Sequence, residues 1–113
     1  MAPLLPSYLR TLRKQWGLSQ AELAELLGVE VSTVCKAETG ARNPTIDLVL
    51  GAEVIFGHNA REIFPAAYEE VESEIMARAE TLHEELQTRT DEPAQAKLRL
   101  LTEMIERANP IKP

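Results

Sequence analysis

The chain carries one cysteine, Cys35, among its 113 residues. That excludes a disulfide framework within the chain and a cysteine-rich zinc site. Glycine is scarce, with five residues, and Thr and Val do not cluster. Such a composition favours helix over sheet, and no strand is readable. No apolar run is long enough to cross a membrane, and the opening MAPLLPSYLR lacks the basic leader of a signal peptide. The expected compartment is the cytosol, without membrane contact. His58 and His83 stand far apart with no Cys/His/Asp cluster round either, so neither reads as a metal ligand. No nucleophile–base pair, phosphate-cradling glycine loop or metal motif is present, so nothing points to an enzyme, a metal or a cofactor.

Charge is short on the basic side. The net charge is −6, but it is unevenly placed. Residues 1–60 carry five Lys/Arg and six Asp/Glu, a net of −1, and residues 61–113 carry seven and twelve, a net of −5. Glu69, Glu70, Glu72 and Glu74 read as a solvated helix face, with acidic charge favourable near a helix N-terminus. A near-neutral first half can bind an anionic polymer if its few cations share one face, with a shallow salt dependence.

What is present is helical punctuation. Pro3 and Pro6 keep the start extended, and Ser7 is placed to cap a first helix running to Trp16, with Gly17 as its stop and Leu9 and Leu12 as its apolar edge. Ser19 and Glu22 form a capping box opening a second helix, lined by Leu23, Leu26 and Leu27 beside the small Ala24. Gly28 supplies a sharp turn and Val29 a core contact. A third helix runs from about Val31 to Thr39 and stops at Gly40. Arg42–Thr45 is a loop broken by Pro44. Thr45 caps a fourth helix, Ile46–Phe56, apolar at Ile46, Val49, Leu50, Val54 and Ile55. Gly57 ends it, and an Asn59/Glu62 box starts a short fifth helix finishing at Phe64–Pro65. These five helices predict a compact all-α unit over residues 7–64.

The remainder differs. Residues 66–89 read as one long amphipathic helix with Tyr68, Val71, Ile75, Ala79, Leu82 and Leu86 on one face. Thr90–Pro93 breaks it, and a second helix over 94–108 repeats apolar residues at Ala94, Leu98, Leu101, Ile105 and Ala108 in heptad fashion. Together, residues 66–109 form a helical hairpin. It either folds back on the first unit or pairs with its own copy, and the long apolar faces favour pairing.

Two short helices joined at Gly28, the second polar on one side and followed by Gly40 and Arg42, have the pattern of a helix-turn-helix. The run from Leu18 to Val29, then Ser32–Val34, Glu38, Gly40 and Arg42–Pro44, resembles the Cro and phage-repressor helix-turn-helix family, also called Xre. The likeness covers about Ser7 to Phe64. It implies a five-helix lambda-repressor-like DNA-binding domain that binds double-stranded DNA and regulates transcription, commonly as a repressor on a palindromic operator. It implies that Val31, Ser32 and Lys36, the first, second and sixth residues of the third helix, read base edges. Lys36 suits guanine O6 and N7, Ser32 any base edge, and Val31 a thymine methyl. Cys35 and Thr33 flank them, Cys35 toward the bases and Thr33 toward the backbone. Gln20, Arg42 and Asn43 are implied phosphate contacts, and Arg13 with Glu38 an ion pair tying the first helix to the third. Val34 and Ala37 lie opposite, in the core.

Four positions depart from the family pattern. Glu30 stands where Ser or Thr is usual, Val31 where a polar reader is usual, Thr39 for Arg or Asn, and Ala37 for a larger apolar residue. The reading face is weakly charged, which places weight on a homodimer formed through residues 66–109. Two further readings remain open: the antitoxin of a toxin–antitoxin pair, with a protein partner on the hairpin, and a protein-interaction module without DNA binding.

Overall fold

The computed structural model describes residues 7–109; Pro3 and Pro6 lie outside them. The described residues form seven helices and no strand. These are α1 (Leu9–Gln15), α2 (Gln20–Leu27), α3 (Val31–Thr39), α4 (Ile46–Phe56), α5 (Ala60–Ile63), α6 (Pro65–Leu86) and α7 (Glu92–Ala108). The chain divides into two compact units, Met1–Glu69 and Glu70–Pro113. No helix among the described residues is long and apolar enough to cross a membrane.

The first unit closes round Leu9, Leu23, Ala24, Val34, Ala37, Leu48, Ala52, Ile63 and Phe64. Leu9, Leu23, Val34, Leu48 and Ile63 are essentially inaccessible, and burying each stabilises by roughly 1.5–3 kcal/mol. Both capping boxes form. Ser19 accepts from the Glu22 N–H at 3.0 Å and Glu22 from the Ser19 N–H at 2.9 Å. Asn59 and Glu62 exchange the same pair at 2.9 and 3.2 Å. Each box satisfies two of the donors that a helix start leaves unpaired.

Three features differ from the sequence reading. The cap position of α1 is Tyr8, without a side-chain bond, although the Ser7 hydroxyl one residue earlier accepts from the Leu9 N–H at 3.4 Å. The same hydroxyl donates to the Ala37 carbonyl at 3.1 Å, fastening the chain before α1 to α3. The first unit also extends past Phe64 to Glu69, because Phe64 is buried and Ala67 packs on the same core. In α4 the core face is Leu48 and Ala52, with Val49, Ile55 and Phe56 partly buried. Ile46, Leu50 and Val54 stand in solvent. A helix apolar on every side cannot announce which side is inward. Here Gly51 helps to decide it, since a Cβ there would lie 2.6 Å from Leu27 Cδ2.

In the second unit α6 and α7 pack through Ala79, Leu86, Ala94 and Leu101, supported by Leu98 and Met104. Asp91 caps α7 by accepting from the Ala94 N–H at 3.3 Å. Arg89 holds that carboxylate with two bonds of 3.0 and 2.8 Å, lowering the Asp91 pKa. The expected helix over 66–89 therefore ends at Leu86, and α7 begins two residues earlier than read, at Glu92. Tyr68, Val71, Ile75 and Leu82 remain exposed.

Gly28 adopts φ 72°, and a Cβ there would meet nothing within 4 Å. Gly28→Ala is therefore expected to cost about 1–2 kcal/mol through backbone strain alone. Urea denaturation should show that loss with an unchanged slope.

Candidate nucleic-acid interface

The interface is built on α2, its turn and α3. Gly28 ends α2 in the left-handed region, and its successor Val29 donates to the Ala24 carbonyl at 3.0 Å. That closes α2 and starts α3 only two residues later. Helix α3 is two-sided. Val34, Ala37 and Glu38 are buried, whereas Val31, Ser32, Cys35, Lys36 and Thr39 are exposed. At about 100° per residue the exposed set spans roughly 140° of the helix, one strip opposite the core. The structure thus brings Val31, Ser32, Cys35 and Lys36 onto one surface. Thr33 sits half-buried at its edge.

Beside that strip is a concavity of about 140 Å³ lined by Thr33, Lys36, Ala37, Arg42, Asn43, Pro44, Thr45 and Leu48. It gathers Lys36, the Arg42–Asn43 loop and the start of α4. The Thr45 hydroxyl accepts from the Leu48 N–H at 3.3 Å. The preceding N–H groups of α4, from Ile46 and Asp47, have no intrahelical acceptor, as at any helix start. Two cations beside helix N–H groups form an environment that suits a phosphate. The sequence reading gave Thr45 a capping role only. Its proximity to the loop was readable, because a cap directly after Pro44 must place the helix start beside Arg42 and Asn43.

Gln20 is placed differently from Arg42. It is half-buried, and its amide Nε2 donates to Glu38 Oε1 at 3.1 Å. One of its two amide N–H donors is therefore committed inward. Sequence spacing could not reveal this bond, which joins residues 18 apart. Glu30 occupies the cap position of α3 but makes no side-chain cap bond, and it is exposed beside this strip.

Beneath the strip, Arg13 Nε donates to Glu38 Oε2 at 2.6 Å and Nη2 to Glu38 Oε1 at 3.1 Å. The Arg13 Nη1 also reaches the Leu18 carbonyl at 2.8 Å, so α1, α3 and the turn before α2 meet at one guanidinium. Both side chains are buried, at 9% and 2% exposure. Burial pushes the Glu38 pKa up. The bonds from Arg13 and Gln20, and the charges of Arg13 and Arg10, outweigh it, so the net direction is down. The Glu38 bond in turn raises the Arg13 pKa, against the opposing effect of burial. No buried side-chain nitrogen or oxygen among the described residues lacks a hydrogen-bond partner.

Two outcomes follow. Arg13→Met is expected to destabilise the fold by about 3–5 kcal/mol, since it leaves the Glu38 carboxylate buried and unpaired. Chemical denaturation measures it. Because the folded-state pKa of Glu38 is depressed, its contribution is present above the unfolded value of about 4.3 and is lost as pH falls toward the folded value. Wild type should lose stability on acidification through that window, and Glu38→Gln should flatten this part of the pH profile.

Residues 5–54 match the model of a family described as a helix-turn-helix domain. The match runs into α4 and stops short of α5, α6 and α7. No curated protein and no solved structure matches the chain. Over α1–α4 the protein is therefore similar to helix-turn-helix domains.

Proposed function

We propose that this chain is a sequence-specific DNA-binding transcriptional regulator, acting as a repressor that occupies a palindromic operator as a homodimer. The observation that carries this reading is the exposed strip Val31, Ser32, Cys35 and Lys36 beside the Arg42–Asn43 cavity. In a helix-turn-helix the second helix enters the major groove with its N-terminal residues at base edges. Lys36 then donates to guanine O6 or N7, Ser32 bonds to a base edge, Val31 packs on a thymine methyl and Cys35 lies between them. Arg42, Asn43, Thr33 and the N-terminal groups round Gln20 hold the phosphates. They fix the register but carry no base information. Arg13 and Glu38 hold α3 in place from within.

The surface has few charges to work with. Lys36 and Arg42 are its cations, and Glu30 opposes them. One copy therefore binds weakly, and pairing through residues 66–109 supplies the second half-site. The two reading helices then stand about 34 Å apart, one turn of DNA. The same shortage of charge favours a second reading, a protein-binding module that makes no DNA contact.

Selection of bound DNA from a random pool, at stated salt, tests the proposal. Enrichment of a two-fold symmetric site supports it. Recovery of no enriched sequence overturns it in favour of the second reading. On the selected site, Lys36→Ala is expected to cost about 1–3 kcal/mol and relax preference at one base pair. Arg42→Ala should weaken all sequences alike and reduce the salt slope by about 1.

A further inference from the structure

Residues 1–60 hold five Lys/Arg, Arg10, Arg13, Lys14, Lys36 and Arg42. Arg13 is buried beneath the exposed strip of α3, and Lys36 and Arg42 line the cavity at one edge of it. Arg10 and Lys14 remain, both exposed on α1 and in no ion pair among the described residues. Helix α1, LRTLRKQ, carries three cations and no carboxylate. At about 100° per residue, Arg10 and Lys14 lie roughly 60° and 100° round α1 from Arg13, in the same sense. Leu12, packed on the core, lies about 100° the other way, and Thr11 and Gln15 stand roughly opposite Arg13. The cations are thus confined to one flank, which begins where Arg13 meets Glu38 of α3. Burial raises the Glu38 pKa, and the Arg10 charge joins the bonds from Arg13 and Gln20 in bringing it down, in keeping with an Arg10 close to α3.

The geometry of α3 fixes which edge of the strip this flank adjoins. Glu38 lies about 20° round the helix from Val31, whereas Thr33 lies about 60° beyond Lys36. Thr33 and Lys36 share the cavity with Arg42, while Glu38 takes Arg13 and Gln20. The Arg42 loop and α1 therefore stand at opposite edges of the strip.

We infer that Arg10 and Lys14 contact the phosphate backbone along the Val31 edge of the strip, across the groove from the backbone held by Arg42. The inference rests on the DNA-binding reading and adds two residues to its site. The major groove is about 12 Å wide and a helix with its side chains about 10–12 Å across, so a helix seated there meets a phosphate ridge on each side. Cations at one edge alone would leave the other ridge without a counter-charge. Arg10 and Lys14 supply it, one helical turn apart on a single flank. The four exposed cations of residues 1–60 then bracket one strip, which is how a chain of net charge −6 presents a locally basic surface.

Binding of the full chain to its selected site and to a random-sequence duplex, followed against salt concentration, tests the inference. Arg10→Ala with Lys14→Ala is expected to weaken both duplexes alike, to reduce the slope of log affinity against log salt by about 2, and to leave the selected sequence unchanged. Arg10→Lys with Lys14→Arg should keep the wild-type slope. Gln15→Glu alters the net charge in the same direction as Lys14→Ala but on the opposite flank, and should leave the slope nearly as it was. Helical circular dichroism checks that each variant is folded. An unchanged slope in the double alanine variant overturns the inference and spares the regulator. So does a Gln15→Glu variant that loses as much slope as Lys14→Ala, since bulk charge would then account for the effect. A wild type that binds neither duplex overturns the DNA-binding reading and this inference together.

Discussion

The Arg13–Glu38 pair is the contact on which the first unit turns. It is the only charged pair buried among the described residues of this unit. Its partners come from α1, α3 and the turn before α2, and Gln20 adds a fourth tie from the first turn of α2. A buried ion pair is a poor source of net stability, because desolvating two charges offsets most of their attraction. What it supplies is position. A wrong rotation of α3 strands two charges in an apolar core, whereas sliding one leucine past another costs far less. The helix that carries the exposed strip is therefore held by the interaction least tolerant of misplacement.

That strip is the other side of the same constraint. Glu38, Val34 and Ala37 are inward, so Val31, Ser32, Cys35 and Lys36 must be outward. The Ser7 hydroxyl on the Ala37 carbonyl adds a tether from the chain before α1. The Arg42–Asn43 loop and the start of α4 then complete the concave edge of the surface. Few charges remain there, because the chain's acidity leaves little basic excess anywhere and the buried Arg13 is fully committed within the fold. Specific contacts, rather than strong electrostatic attraction, suit such a surface.

The element boundaries were largely readable, because they are written in local chemistry. Ser19 with Glu22, Asn59 with Glu62, Thr45 and Asp91 each bond to a backbone N–H three residues ahead, and Gly28, Gly40 and Gly57 end helices in the left-handed region. Sequence pattern and structure part where the local pattern allows two answers. Ser7 looks like a cap alone, and its hydroxyl both accepts from the Leu9 N–H and tethers the chain to α3. Gln20 looks outward and donates inward to Glu38. The apolar residues of α4 surround the helix, so their periodicity could not say that Leu48 and Ala52 face in while Ile46, Leu50 and Val54 face out.

The sequence by itself determined the helix count, the turn at Gly28 and the residue types available on α3, because capping, turn conformation and side-chain chemistry act over four residues or fewer. It also carried the likeness that marked Arg13 and Glu38 as partners. Only the tertiary structure decided which groups are already occupied. The Gln20 amide, the Ser7 hydroxyl and the inward face of α4 meet partners 18 or more residues away or depend on the close approach of Leu27 to Gly51. Such contacts arise from packing, in which the position of one helix fixes what the next can reach, and no short-range pattern encodes that choice.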